Sequence, residues 1–195
     1  MERFYYEVPS IDRKGDAIEY INEHYEYKSN INGVGGLHRY LDNYEGWLEK
    51  LEHDYNMLPT EEKVPARTYF LIRESDNKII GMTNIRLSLN EALKKFGGHI
   101  GYSIRPTERR KGYNKINLYL ILQIAKSHGL EKVLITCADY NEGSRKTIIS
   151  FGGIYEKSNY DESDNENMEL YWIDINESLE KYKNTYERYV SKNKR

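Results

Sequence analysis

The run from His99 to Lys115, HIGYSIRPTERRKGYNK, constrains the fold more than any other stretch: an apolar strand stops at Pro106 and gives way to a basic, glycine-containing turn that opens a helix. Arg109, Arg110 and Lys111 stand directly before Gly112. The helix that follows turns its unpaired amides and its positive dipole end back toward them. Such a junction suits a phosphate-bearing ligand, and the plain alternative is a solvated turn carrying a charge run.

The flanking pattern places this junction inside a layered domain. A short strand is expected at Phe4 to Val8, then a helix with Ala17, Ile18, Ile21 and Tyr25 on one face. NINGVGGLHRY, with three glycines, reads as irregular. A second amphipathic helix starts at Asp42, with Leu41, Tyr44, Leu48, Leu51 and Tyr55 on its core stripe and Trp47 flanking it. TYFLIRESDNKIIGMTNIRLS reads as two strands joined at Ser75 to Asn77. The polar segment NEALKKFGG leads into the strand His99 to Ile104, and residues 113 to 127 form the helix after the turn. Lys132 to Cys137 is a strand of the continuous apolar kind, and a helix over Asn141 to Ser150 ends at Gly152 and Gly153. Strands near Ile154 to Lys157 and Met168 to Ile175 flank the acidic loop NYDESDNEN. A terminal helix carries Ile175, Leu179, Tyr182, Tyr186 and Tyr189, and its basic end SKNKR is expected to fray. The order predicts one α/β or α+β domain over residues 1–195, with a mixed sheet covered by helices.

Composition limits the function classes. The chain has 29 basic and 31 acidic residues, so its total charge asks for neither nucleic acid nor a membrane surface, and any basic site is local. No apolar stretch approaches the ~20 residues of a membrane span, and MERFYYEVPS lacks a signal pattern. The expectation is a soluble, cytoplasmic protein. Cys137, the single cysteine, sits in VLITC and reads as a buried, inert thiol. His24, His38, His53 and His128 have no metal-ligand spacing, so no metal site is expected.

Two of these segments together resemble the GNAT acetyltransferase superfamily. Arg109-Arg110-Lys111-Gly112-Tyr113-Asn114 is similar to its turn (Arg or Gln)-x-x-Gly-x-(Gly or Ala), led by IRP; NEGSRKTIISFGG after VLITC is similar to its second motif. The IGYSIRP strand resembles the branch holding ribosomal-protein and small-molecule acetyltransferases. Two departures stand out. Asn114 replaces the last small residue of the turn, and Ile148 stands where many members carry a tyrosine proposed as general acid, so that role does not transfer.

The resemblance implies an acyl-CoA N-acyltransferase fold, a mostly antiparallel central sheet flanked by helices, and acetyl-CoA as acyl donor. Amides of Lys111 to Lys115, including those of Gly112, Tyr113 and Asn114, are expected on the pyrophosphate, with Arg109 and Arg110 adding charge. Backbone groups of Ile104 and Arg105 are expected on the pantetheine arm, as are Asn141 and Ser144; for Asn141 a plain helix cap is the alternative. An alkyl amine is almost fully protonated at neutral pH, so the reaction needs a base or a desolvating site. His99 is the first candidate base, and Tyr102 a possible acid or substrate-facing residue. The acidic residues Asp161, Glu162, Asp164, Glu166 and Glu169 are expected to favour a cationic amine. The leading expectation is an N-acetyltransferase acting on a small amine, with a homodimer compatible with the sequence. The alternative is an inactive acyl-CoA sensor of the same fold; a nucleic-acid contact is weaker, for want of an aromatic-basic module.

Overall fold

The computed structural model describes residues 1–191. Strands β1 (Phe4–Glu7), β2 (Ala66–Arg73), β3 (Lys78–Arg86) and β4 (Ile100–Ile104) form one antiparallel sheet in that order. Strands β5 (Lys132–Ala138), β6 (Ile154–Asp161) and β7 (Glu166–Asp174) form a second, ordered β5-β7-β6 and also antiparallel. The expected hairpin at Ser75 to Asn77 joins β2 to β3, with Asn77 in the left-handed region at φ 57°.

Among the described residues, five α-helices cover the sheets: α1 (Lys14–Glu26), α2 (Tyr44–Asn56), α3 (Tyr113–Ser127), α4 (Glu142–Ser150) and α5 (Ile175–Tyr186). α1 and α2 close one face of the first sheet: Tyr20, Ile21, Tyr44 and Trp47 are buried against Phe70, Ile72 and Met82. α3 lies under both sheets, its Leu118, Ile121 and Leu122 packing with Ile85, Ile100, Val133, Ile135 and Ile173.

Several local expectations are corrected. α1 buries Ala17, Tyr20, Ile21 and His24, not Tyr25, which is exposed. Tyr20 and His24 enter the core with partners that spacing does not reveal: Tyr20 Oη donates to the Ser103 carbonyl at 3.0 Å, and His24 Nδ1 meets the Tyr20 carbonyl at 2.9 Å, while His24 Nε2 is buried without a partner among the described residues. α2 is capped by Asn43, whose side chain accepts from Gly46 N–H, so it starts at Tyr44, two residues after Asp42. Trp47 is at the centre of the packed face, fully buried, its indole N–H donating to the Gly35 carbonyl. Strands β6 and β7 consume most of the expected acidic loop. α5 stops at Tyr186 and a 3-10 turn, Glu187–Tyr189, follows. Of the SKNKR end, Ser191 is bound through its N–H to the Phe4 carbonyl, and the rest lies outside the described residues.

The two sheets touch where β4 and β5 begin. His99 N–H donates to the Leu134 carbonyl at 2.7 Å, and Leu134 N–H donates back to His99 Nδ1 at 2.9 Å. Gly98 makes the approach possible: at φ 61° it lies where a Cβ would come within 2.6 Å of the Leu134 carbonyl oxygen. Beyond this joint the strands belong to separate sheets, and the turns leading into α3 and α4 follow their carboxyl ends.

Candidate active site

A cleft of about 630 Å³ opens in the gap between β4 and β5. Ile100, Gly101 and Tyr102 form one wall, and Thr136, Cys137 and Ala138 the other. Asn141 and Ser144, at the start of α4, stand at one end; Asp161, Asp164 and Glu166, at the tip of the β6–β7 hairpin, stand at the rim.

Alternation along β4 decides which backbone groups reach the gap. Arg105 N–H donates to the Ile80 carbonyl, so the odd-numbered residues turn toward β3 and Tyr102 and Ile104 turn outward. The Ile104 carbonyl already accepts from Arg109 Nε at 3.0 Å. Arg105 is therefore not a pantetheine contact. Its N–H serves β3, its carbonyl accepts from Glu108 N–H, and its fully buried guanidinium holds Glu19 and Glu23 at 2.8 Å. The free edge includes the Ile100 and Tyr102 backbones and the Ile104 N–H.

The turn before α3 has the properties of an anion cradle. None of the amides of Arg110, Lys111, Gly112, Tyr113 and Asn114 donates within the described protein, because they precede or open the helix. Positive φ values at Arg110 (64°) and Gly112 (83°) curl the chain so that consecutive amides converge. No heavy atom lies within 4 Å of where a Gly112 Cβ would stand, which leaves room for a diphosphate to approach the backbone. The Lys115 amide, expected in this group, is spent on the Gly112 carbonyl.

The cationic side chains divide their work. Lys111 pairs with Glu108 at 2.8 Å, and Arg109 reaches Ser29 Oγ as well as the Ile104 carbonyl. Arg110 and Lys115 make no ion pair or hydrogen bond among the described residues, leaving both charges for a ligand. The Tyr113 side chain turns away, its ring 4.9 Å from that of Phe4 and its hydroxyl donating to Glu2. Asn114 caps no gap but accepts from Asn117 Nδ2 at 3.4 Å.

His99 does not reach the cleft as a base. It is buried, its Nδ1 lone pair is used by the Leu134 N–H, and burial, reinforced by the positive charge of Arg86, pushes its pKa down to about 4. The residue is a joint between the sheets. Tyr102 instead points into the site: its hydroxyl lies 2.8 Å from Ser144 Oγ, and burial raises it to about 12, so it stays protonated at neutral pH. Asn141 acts as the cap of α4, its Oδ1 accepting from Ser144 N–H at 3.1 Å. Ile148 is fully buried and offers the cleft nothing. Cys137 is on the wall, its thiol pushed up to about 11 by burial.

Two contributors escaped the sequence reading. The loop Asn30–Gly33 lies over β4, with Gly33 at φ 71° where a Cβ would collide with the Gly101 carbonyl and Tyr102 Cα. The three clustered glycines were its only signal. Arg86, at the end of β3, lines the cleft and had no signal at all. At the rim, Glu169 is taken by Arg145 at 2.6 Å and by Tyr171, Glu166 accepts from Tyr140, and Asp161 accepts from Ser163.

A gap between two strands, flanked by an amide-lined turn and by the capped start of α4, is an open strand edge beside an anion cradle. The chain matches the acetyltransferase (GNAT) family over residues 36–152 and belongs to that family. It is an acetyl-CoA-dependent N-acetyltransferase. Among solved structures it is similar to the ribosomal-protein-S5-alanine acetyltransferase of Vibrio fischeri, at 14% identity over 90% of this chain and 94% of that one, with a TM-score of 0.64. A chimaeric spermidine N-acetyltransferase from Vibrio cholerae and its human counterpart gives 15%, 91%, 98% and 0.64. A microcin C7 self-immunity acetyltransferase, solved with acetyl-CoA and AMP, gives 16%, 88%, 92% and 0.64. No curated protein sequence matches the chain. No helix among the described residues is long and apolar enough to cross a membrane.

Proposed function

We propose that the chain transfers the acetyl group to the primary amine of a small molecule by direct attack in a ternary complex. The observation that carries this reading is the Tyr102–Ser144 hydroxyl pair inside the β4–β5 gap. The pantetheine arm lies along the free edge of β4, with the diphosphate on the amides of Arg110 to Asn114. The amine nitrogen attacks the thioester carbonyl, the carbon–sulfur bond breaks, the departing thiolate takes its proton from Tyr102, and the tyrosinate recovers a proton, through water, from the nitrogen that becomes the amide. Tyr102 thus supplies from β4 what Ile148 cannot supply from α4. The ammonium form of the acceptor is drawn in by Asp161, Asp164 and Glu166 and loses its proton to water before attack.

Direct attack is favoured over an acetyl-cysteine route because Cys137, held at about 11, is scarcely a thiolate at neutral pH. Thiol release from acetyl-CoA with a panel of primary amines tests the proposal. Turnover with intersecting initial-velocity lines is expected; parallel lines would contradict direct attack. Saturable CoA binding without turnover on any amine would favour the sensor reading, which Ile148 motivates.

A further inference from the structure

Arg86 is the unclaimed cation of the cleft. Its Nη1 donates to the carbonyls of Gly97 and Gly98 at 2.9 and 3.1 Å, which uses both Nη1 hydrogens. Nε and Nη2 keep three N–H donors, two of them side by side on one planar edge, and no other hydrogen bond or ion pair to the Arg86 side chain exists among the described residues. The side chain is half-buried, burial alone lowers its pKa, and no carboxylate offsets its charge. Every other arginine in or behind the site is tied to a carboxylate or carbonyl or projects into solvent: Arg105 to Glu19 and Glu23, Arg145 to Glu169, Arg109 to the Ile104 carbonyl, with Arg110 exposed.

The placement of Arg86 adds the second argument. It lines both the β4–β5 cleft and an adjoining cavity of about 430 Å³ beneath the Asn30–Gly33 loop, which also presents Asn84, Asn90, Glu62 and the paired Lys50 and Asp54. A guanidinium edge kept partly out of water, without a counter-ion, at the junction of two polar cavities is arranged to receive an oxyanion. The hairpin tip lines the same cleft with carboxylates, and that of Asp164 makes no hydrogen bond or ion pair among the described residues.

Building on the acetyltransfer reading, we propose that the acceptor carries a carboxylate as well as its amine, and that the Nε–Nη2 edge of Arg86 binds that carboxylate. Arg86 pairs with His99 just before β4, so its backbone lies about 10 Å along the strand direction from that of Tyr102, and the two side chains leave alternate faces of the sheet to meet the cleft. The acceptor so proposed carries its amine and its carboxylate at the two ends of a chain of several atoms, not on a single carbon.

The test uses the full-length protein with acetyl-CoA and ω-amino acids from glycine to 6-aminohexanoate, each beside its carboxamide and beside phosphoethanolamine. The expected result is kcat/KM at least about tenfold higher for the longer acids than for their amides, expressed mainly in KM. In Arg86→Gln, whose amide still donates to a loop carbonyl, acid and amide should become equal while turnover of the amide persists. Arg86→Lys should restore part of the preference. Equal rates for acids and amides in the wild type, or a preference that survives in Arg86→Gln, would overturn the carboxylate site while leaving acetyltransfer intact. A preference for phosphoethanolamine over every acid would overturn the choice of carboxylate. CoA binding with no turnover of any amine would overturn both readings together.

Discussion

Tyr102 and His99 sit three residues apart on one strand and do opposite things. The Tyr102 hydroxyl, raised to about 12 by burial, keeps its proton at neutral pH, as the proposed donor to the thiolate must. Tyr102→Phe should lower kcat about 10- to 100-fold while the Kd for CoA changes by less than about threefold, measured by thiol release and calorimetry. His99 is held neutral. Its pKa falls from about 6.5 unfolded to about 4 folded, so the unfolded chain takes the proton first as pH drops. His99 therefore contributes full stability above pH ~6.5 and loses it progressively down to pH ~4, on the order of 3 kcal/mol. Urea unfolding of the wild type and His99→Leu at pH 7 and pH 4.5 checks this: the variant should be less stable at pH 7 and less pH-sensitive across the window. Both residues were legible as site candidates from the strand alone. Their roles were not, because a strand shows which residues alternate but not what Leu134 or Ser144 places opposite them.

At the scale of elements, the turn into α3 and the start of α4 carried the clearest sequence signals. Gly112 and Asn141 do what those signals imply: one takes a left-handed conformation that other residues pay about 1–2 kcal/mol to adopt, and the other caps a helix. Gly112→Val should raise the Kd for CoA at least about tenfold, since the branched side chain enters the space beside the free amides. Asn141→Ala should cost about 1 kcal/mol in thermal or chemical unfolding. Arg105 shows the limit of motif reading: its position at the strand end matched, yet Glu19 and Glu23, more than 80 residues away in sequence, pull its side chain behind the sheet. The same limit explains α1, where Tyr25 fitted the apolar spacing but Tyr20 and His24 were buried through partners that periodicity does not register.

Across the whole molecule, two antiparallel sheets meet at the His99–Leu134 joint and part toward the α3 and α4 turns, and this divergence creates the site. The order of elements made the layered class readable, and the glycine pair before His99 marks where the sheets cross. The cleft itself was hidden, since its lining comes from the 30–33 loop, β3, β4, β5 and the β6–β7 tip. The acidic rim gives a prediction at this scale. In Asp161→Asn/Glu162→Gln/Asp164→Asn, acceptor KM should rise a few-fold at low salt and lose most of its salt dependence, because charges steering a ligand over more than about 10 Å are screened at 0.1 M. Steady-state kinetics from 20 to 300 mM salt, roughly spanning the screening range, measures this. The most direct test of the account is a crystal structure of the CoA complex. The account predicts the diphosphate on the amides of Arg110 to Asn114, pantetheine along the outer edge of β4, and the thiol within hydrogen-bond reach of the Tyr102 hydroxyl. A thiol lying away from Tyr102, or a diphosphate bound off that turn, would contradict it.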